Sequence, residues 1–280
     1  FLNLIIIETM PRLIYNRIAK AGSTTMIALL TALSQINNFT LVNDNHYFPE
    51  PQSLRHRLEE LPPDSVYINH CNFVPDMGED YHWINMVRDP VEKDESSFYY
   101  GVSDERSKAK LTLQARKEDK KCGCAYMEYD ECIRLRMKND CSLKFTLSEL
   151  NYFSHIKPHW DIENKVERSG YKADEAFQRV LHNYRFVGLT EEFALSIKVL
   201  EVLEPRFFQG ASNIYASHKS AEVTNASPLR NHVTHTYMTG AISSAVRSAL
   251  SHANPEDVQL YYHVRRLFWW TVGQLLQEEI

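Results

Sequence analysis

Apolar residues along the chain come in short runs separated by polar stretches of helical period. Leu13-Ile14-Tyr15 is a short strand candidate, and Thr24–Leu33 follows as an apolar-rich helix. Phe39–Val42 is a second strand. Pro51 to Leu61 carries charges at helical spacing and stops at Pro62-Pro63, a strong breaker. Val66-Tyr67-Ile68 reads as a buried strand with His70 just past its end. Trp83–Val87 is another, ending in Arg88-Asp89-Pro90, and residues 91–101 continue as a helix. Residues 102–125 are polar, basic and poorly periodic, which predicts a long loop with some helix. A helix around Ala173–Asn183 leads into the strand Phe186–Leu189, followed by a helix over Glu191–Leu203 that ends near Pro205. Residues 209–233, with Gly, Ser, Asn and Pro, read as loop, and Pro255–Glu279 as a long aromatic helix. Short apolar strands alternating with helices predict an α/β fold with a mainly parallel central sheet flanked by helices, one domain over residues 1–280.

Composition agrees. With 280 residues, 44% hydrophobic and 24% charged, the chain has enough apolar surface for a full core. No run approaches the roughly 20 apolar residues of a membrane span. Phe1–Ile7 is apolar but short and is ended by Glu8. The first residue is Phe, so the chain is expected to be a fragment or a mature form from which an N-terminal targeting segment is absent. The net charge of −5 gives no global attraction to nucleic acid. Charge is uneven, however: Arg106, Lys108, Lys110, Arg116, Lys117, Lys120 and Lys121 lie close together. They form either a face for an acidic polymer or a solvated surface.

The five cysteines, Cys71, Cys122, Cys124, Cys132 and Cys141, fit neither zinc nor redox spacing. Their clustering suits disulfides in an oxidising compartment. Glycosylation sequons at Asn38 and Asn225 point the same way, the second weakened by Pro228. No cluster of metal ligands is visible.

The chemistry concentrates in Asn16-Arg17-Ile18-Ala19-Lys20-Ala21-Gly22-Ser23-Thr24-Thr25, between a strand and a helix. Backbone N–H groups at a helix start converge on one spot where the helix dipole favours an anion. Gly22 permits close approach, Ser23, Thr24 and Thr25 add hydroxyls, and Lys20 adds a mobile charge. The lysine precedes the glycine and no earlier glycine exists. The loop is therefore no magnesium-nucleotide Walker motif, and an ATPase or kinase is disfavoured. Arg88 sits at the end of the Trp83–Val87 strand, where open α/β sheets bind ligands, and Ser96 follows about two helical turns later. A guanidinium fork and a hydroxyl so placed suit a second phosphate. Two separated phosphate sites fit a donor such as 3′-phosphoadenosine-5′-phosphosulfate (PAPS).

Several blocks occur in order: Asn-Arg-Ile-x-Lys-x-Gly-Ser-Thr from Asn16, Asn85-x-Val87-Arg88-Asp89-Pro90 with Ser96-Ser97-Phe98-Tyr99-Tyr100, Asp130-Glu131-Cys132, Phe186-Val187-Gly188-Leu189-Thr190-Glu191-Glu192, and Pro205-Arg206-Phe207-Phe208-Gln209-Gly210. The ordered set resembles the uronosyl 2-O-sulfotransferases, which act on heparan or dermatan/chondroitin sulfate and include the insect Pipe-type relatives. The resemblance implies a P-loop-like PAPS-dependent sulfotransferase fold. It implies a Golgi type II membrane enzyme with a lumenal catalytic domain that sulfates the 2-hydroxyl of a uronic acid in a glycosaminoglycan. It places Lys20 on the 5′-phosphosulfate, with Arg17, Ala21, Gly22, Ser23, Thr24 and Thr25 around it, and Arg88 and Ser96 on the 3′-phosphate. His70, in Asn69-His70-Cys71-Asn72-Phe73, takes the place of the catalytic base, with His82 a weaker rival. Arg17 and Arg106 are acceptor-binding candidates. It further implies a Cys132–Cys141 disulfide and a homotrimer assembled through the C-terminal region.

Asp94 and Glu95 stand where the family carries apolar residues. Either that helix turn is exposed, or donor binding is weakened. Two alternatives follow: a catalytically weakened, glycan-binding protein of the same fold, or a Pipe-like enzyme acting on a glycoprotein.

Overall fold

The computed structural model describes residues 11–103, 121–124, 127–145, 147–154, 159–161, 166–168, 172–223 and 241–278. Its centre is a five-stranded sheet of β1 (Arg12–Asn16), β2 (Thr40–Asn43), β3 (Ser65–Asn69), β4 (Tyr81–Val87) and β7 (Tyr184–Leu189). The order is β2-β3-β1-β4-β7, and every pairing is parallel. β3 is buried along its whole length and β1 from Leu13 to Asn16. Strands covered on both faces read as unbroken apolar runs, which is why the sequence displays them. β5 (His159–Asp161) and β6 (Val166–Arg168) form a separate antiparallel pair.

The helices among the described residues are α1 (Ser23–Ile36), α2 (Pro51–Glu59), α3 (Pro90–Ser103), α4 (Tyr129–Lys138), α5 (Ala173–Asn183), α6 (Phe193–Leu203), α7 (Pro205–Phe208), α8 (Ala211–Val223), α9 (Ser244–Ala253) and α10 (Pro255–Glu278). Helices α1, α6, α7 and α8 pack on one another, while α5 and α10 pack together against β7. A smaller apolar cluster of Val91, Tyr99, Tyr129, Ile133, Phe145, Val246 and Leu250 joins α3, α4 and α9. None of the described helices is long and apolar enough to cross a membrane.

The loop expected over residues 209–233 is corrected in its first half, which is α8. Its Ser and Asn residues are outweighed by Ala211, which is buried, and by Tyr215, whose ring lies 5.1 Å from that of Phe193. Most of the expected loop over residues 102–125, and with it Arg106, lies outside the described residues, as does Asn225. Asn38 is exposed just after α1.

Strand β4 neighbours β1 on one side and β7 on the other, and chain connections leave β1 and β4 in opposite directions. The crevice beyond their carboxyl ends is where such sheets place ligands. Helix α6 is held close against β7. Ser196 Oγ accepts the Leu189 N–H at 3.0 Å, and a Cβ on Gly188 would lie 2.5 Å from Met86 Sδ and 2.8 Å from Ser196 Cβ. Gly188→Ala is therefore expected to destabilise the fold by about 1–3 kcal/mol through overpacking. Chemical denaturation measures this, and a variant as stable as the parent would refute the close approach.

Candidate active site

Three elements meet at the carboxyl end of the sheet. The first is the loop from β1 into α1. Gly22 caps α1 in the left-handed conformation (φ 72°), and no side chain caps the helix. The first intrahelical bond runs from Met26 N–H to the Gly22 carbonyl. The N–H groups of Ser23, Thr24 and Thr25 precede it and remain open for an anion. Ala21 is fully buried, and Lys20 is also left-handed (φ 65°). Its Nζ lies 4.0 Å from the centre of the Tyr100 ring. Burial first, and the neighbouring Arg88 second, bring the Lys20 ammonium down to about 8.

The second element is the end of β4. Arg88 Nη1 donates to the Lys20 carbonyl at 3.4 Å, so the two cations stand together. Neither side chain forms a salt bridge with a carboxylate among the described residues, although Glu95 interacts electrostatically with Arg88, and two cations together beside a helix N-terminus fit an anionic group. Asp89 Oδ1 accepts the N–H groups of Val91 and Glu92 and so caps α3. Ser96 is half-buried further along α3, with no hydrogen bond to Lys20 or Arg88 among the described residues.

The third element follows β3. His70 is buried, its ring stacked on Tyr47 with centroids 5.0 Å apart and 10° between planes. Tyr152 meets it edge-on at 6.3 Å. Burial and then the Arg17 charge hold the imidazole down to about 4, and the Arg17 main chain pulls partly back. The ring is therefore neutral at physiological pH. Tyr15 Oη, Arg17 Nε and His70 Nδ1 are buried and have no hydrogen-bond partner among the described residues. Arg17 couples electrostatically to both Tyr15 and His70, so these polar atoms mark one spot beside the loop. Such groups are costly unless a polar ligand meets them.

Beneath the three elements lies a buried amide network. Asn16 Nδ2 donates to the Tyr152 carbonyl at 2.8 Å and to Tyr184 Oη at 2.9 Å. Asn85 Nδ2 donates to the Asn16 carbonyl at 2.7 Å and to its Oδ1 at 2.9 Å. The sequence places Asn16 in the phosphate loop and Asn85 within an apolar strand, and neither position marks this network.

The model of the sulfotransferase family matches residues 3–263. The chain belongs to the sulfotransferase family. It is 25% identical over 268 residues to the human protein named uronyl 2-sulfotransferase, covering 91% of this chain and 59% of the relative. It is 27% identical over 228 residues to heparan sulfate 2-O-sulfotransferase 1 of Xenopus laevis, covering 75% and 60%. The chain thus spans about three fifths of the length of these relatives.

The expected Cys132–Cys141 disulfide is replaced by Cys122–Cys141 and Cys124–Cys132, with Cα separations of 6.0 and 5.3 Å. Cys132 lies in the first turn of α4 and Cys141 beyond its last. The helical rise from Cys132 to Lys138 alone is about 9 Å, already too long for a bridge. Cys71 is free and buried. His82, the rival base, lies near the start of β4, at the opposite end of the sheet from the loop. Its Nδ1 is 2.9 Å from Glu204 Oε1.

The acids at 94 and 95 behave differently from one another. Asp94 accepts the Tyr129 hydroxyl at 2.7 Å. Glu95 is buried and pushed up to about 7, by desolvation first, with Arg88 pulling it back. The turn is therefore not exposed, and Glu95 is only partly charged near neutrality.

Proposed function

We propose that this protein transfers a sulfuryl group from PAPS to the 2-hydroxyl of a uronic acid in a glycosaminoglycan. The observation that carries the reading is the meeting of the Lys20 and Arg88 side chains, neither in a salt bridge among the described residues, beside the N-terminus of α1. The donor supplies the activated sulfate. Lys20 and the α1 N–H groups stabilise the negative charge that builds on the departing phosphate oxygen as the S–O bond to it breaks. His70 accepts the acceptor hydroxyl proton as the new S–O bond forms. Arg88 and Ser96 hold the 3′-phosphate, and Arg17 and Arg106 are the candidate contacts for the acidic acceptor.

The two disulfides support residence in an oxidising lumen, in this reading that of the Golgi behind an N-terminal anchor. Glycosylation at Asn38 and Asn225 belongs to the same reading. The exposed Tyr262, Trp269 and Trp270 of α10 support assembly into a homotrimer through the C-terminal helix.

Glu95 buried beside Arg88 favours a second reading, a glycan-binding relative that holds the donor without turnover. Isothermal titration with 3′-phosphoadenosine-5′-phosphate (PAP), paired with a radiolabelled sulfate-transfer assay on desulfated heparan and dermatan chains, separates the two. Binding with transfer is expected. Binding without transfer to any acceptor would leave the second reading, and no binding would remove both.

A further inference from the structure

The stretch Ser148–Ser154 is polar in four of its seven residues, with a tyrosine hydroxyl besides, yet none is more than 8% exposed. Connecting segments normally run over the surface because buried backbone and side-chain polar groups need partners. Here the partners are found in the three elements of the site. Glu149 Oε1 accepts the Arg88 N–H at 3.2 Å and lies 3.4 Å from Lys93 Nζ, both side chains being buried. The Asn151 carbonyl accepts Asn72 Nδ2 at 2.6 Å. The Tyr152 carbonyl accepts Asn16 Nδ2 at 2.8 Å and the Phe73 N–H at 3.1 Å. The Tyr152 hydroxyl accepts the Ala19 N–H at 3.3 Å, while its ring abuts His70. The far side of the stretch is tied to α10, where Asp257 Oδ1 accepts the Ser148 hydroxyl at 2.8 Å and the Glu149 N–H at 2.9 Å.

We propose that Ser148–Ser154 is a positioning strap, in which Glu149 sets the Arg88 end of β4 and Tyr152 sets the loop carrying Lys20 together with the His70 ring. The proposal rests on the donor reading above. It assigns separate duties within one segment. Glu149 acts on the half of the site that binds a phosphate remote from the reaction. Tyr152 acts on the half where charge and proton move. A small displacement of groups aligned with the reacting atoms lowers turnover, whereas looser grip on a remote group is felt in binding.

The test measures PAP affinity and steady-state transfer on the full chain. Replacing the buried pair together, Lys93→Met with Glu149→Met, removes the acceptor for the Arg88 N–H and its lysine counter-charge at once, and leaves Asp257 held by the Ser148 hydroxyl and the N–H of residue 149. It is expected to raise the donor KM and the PAP Kd about tenfold, with kcat within about twofold. Tyr152→Phe keeps the ring and deletes the hydroxyl. It is expected to lower kcat about tenfold, with donor KM within about twofold. A purely structural strap predicts lower thermal midpoints, with wild-type KM and wild-type kcat per folded molecule, and that result overturns the proposal. Wild-type protein that fails to bind PAP overturns the donor reading and this proposal with it. Variants that match a PAP-binding wild type overturn the strap alone.

Discussion

His70→Ala is expected to lower kcat by about 10²–10⁴-fold and to leave PAP affinity within a small factor of wild type. The imidazole is placed to handle a proton: it follows β3 directly, lies between Tyr47 and Tyr152, and touches the loop through Arg17. In the free protein, burial and the Arg17 charge keep it neutral down to about pH 4. The acid limb of kcat/KM, which reports the free enzyme, is therefore expected near 4 and not near the usual histidine value. Binding reverses part of that shift. Phosphate and acceptor carboxylate charges beside the ring favour its protonated form, so the acid limb of kcat is expected at higher pH than that of kcat/KM. The direction of that difference is the decisive measurement. A base made weak in the free protein gains basicity once the anions are in place. His70→Asn, which retains part of the volume between the two tyrosines, is expected to be equally inactive. Wild-type turnover in either variant would reject His70 as the base.

The sheet was readable because its inner strands β1, β3 and β4 are largely buried on both faces, which gives apolar runs such as Val66-Tyr67-Ile68. The loop was readable because its physics is local: a glycine, hydroxyls and a lysine at the junction of a strand and a helix. Arg88 was readable for the same reason, as a cation at a strand end. The strap was not. Ser148–Ser154 carries the composition of a surface turn, and its burial exists only because strands distant in sequence supply its hydrogen-bond partners. Helices α4 and α9 are short, and their apolar residues matter only within the small cluster that joins them to α3. The disulfide pairing depends on α4 forming between Cys132 and Cys141, a fact that spacing alone does not carry. Position 95 shows the same division. An acid at that site reads as a defect in sequence, whereas burial pushes it up to about 7 and Arg88 partly neutralises it.

Lys20→Met is expected to lower kcat by about 10²–10³-fold, the scale of losing one donor to charge that develops in the transition state. Two features make this residue hard to replace. Its backbone is left-handed at φ 65°, a conformation that costs a non-glycine residue about 1–2 kcal/mol. The strain is tolerated at a position where glycine would relieve it, so a side chain is retained there against local preference. Lys20→Gly is accordingly expected to be at least as stable as wild type in thermal unfolding while losing transfer, which separates stability from activity at one position. The ammonium, lowered to about 8 by burial and by Arg88, also sets an alkaline limit on donor binding. A lysine with a lowered pKa loses its charge as pH rises through that value. PAP affinity of the wild type is therefore expected to fall above about pH 8, and that limb is expected to be absent in Lys20→Met. Lys20→Arg, which keeps its charge throughout, is expected to hold its affinity into the alkaline range while turning over more slowly, because the guanidinium fork does not reproduce a compact point charge. An alkaline limb that persists unchanged in Lys20→Met would assign it to another group and remove Lys20 from the phosphate site.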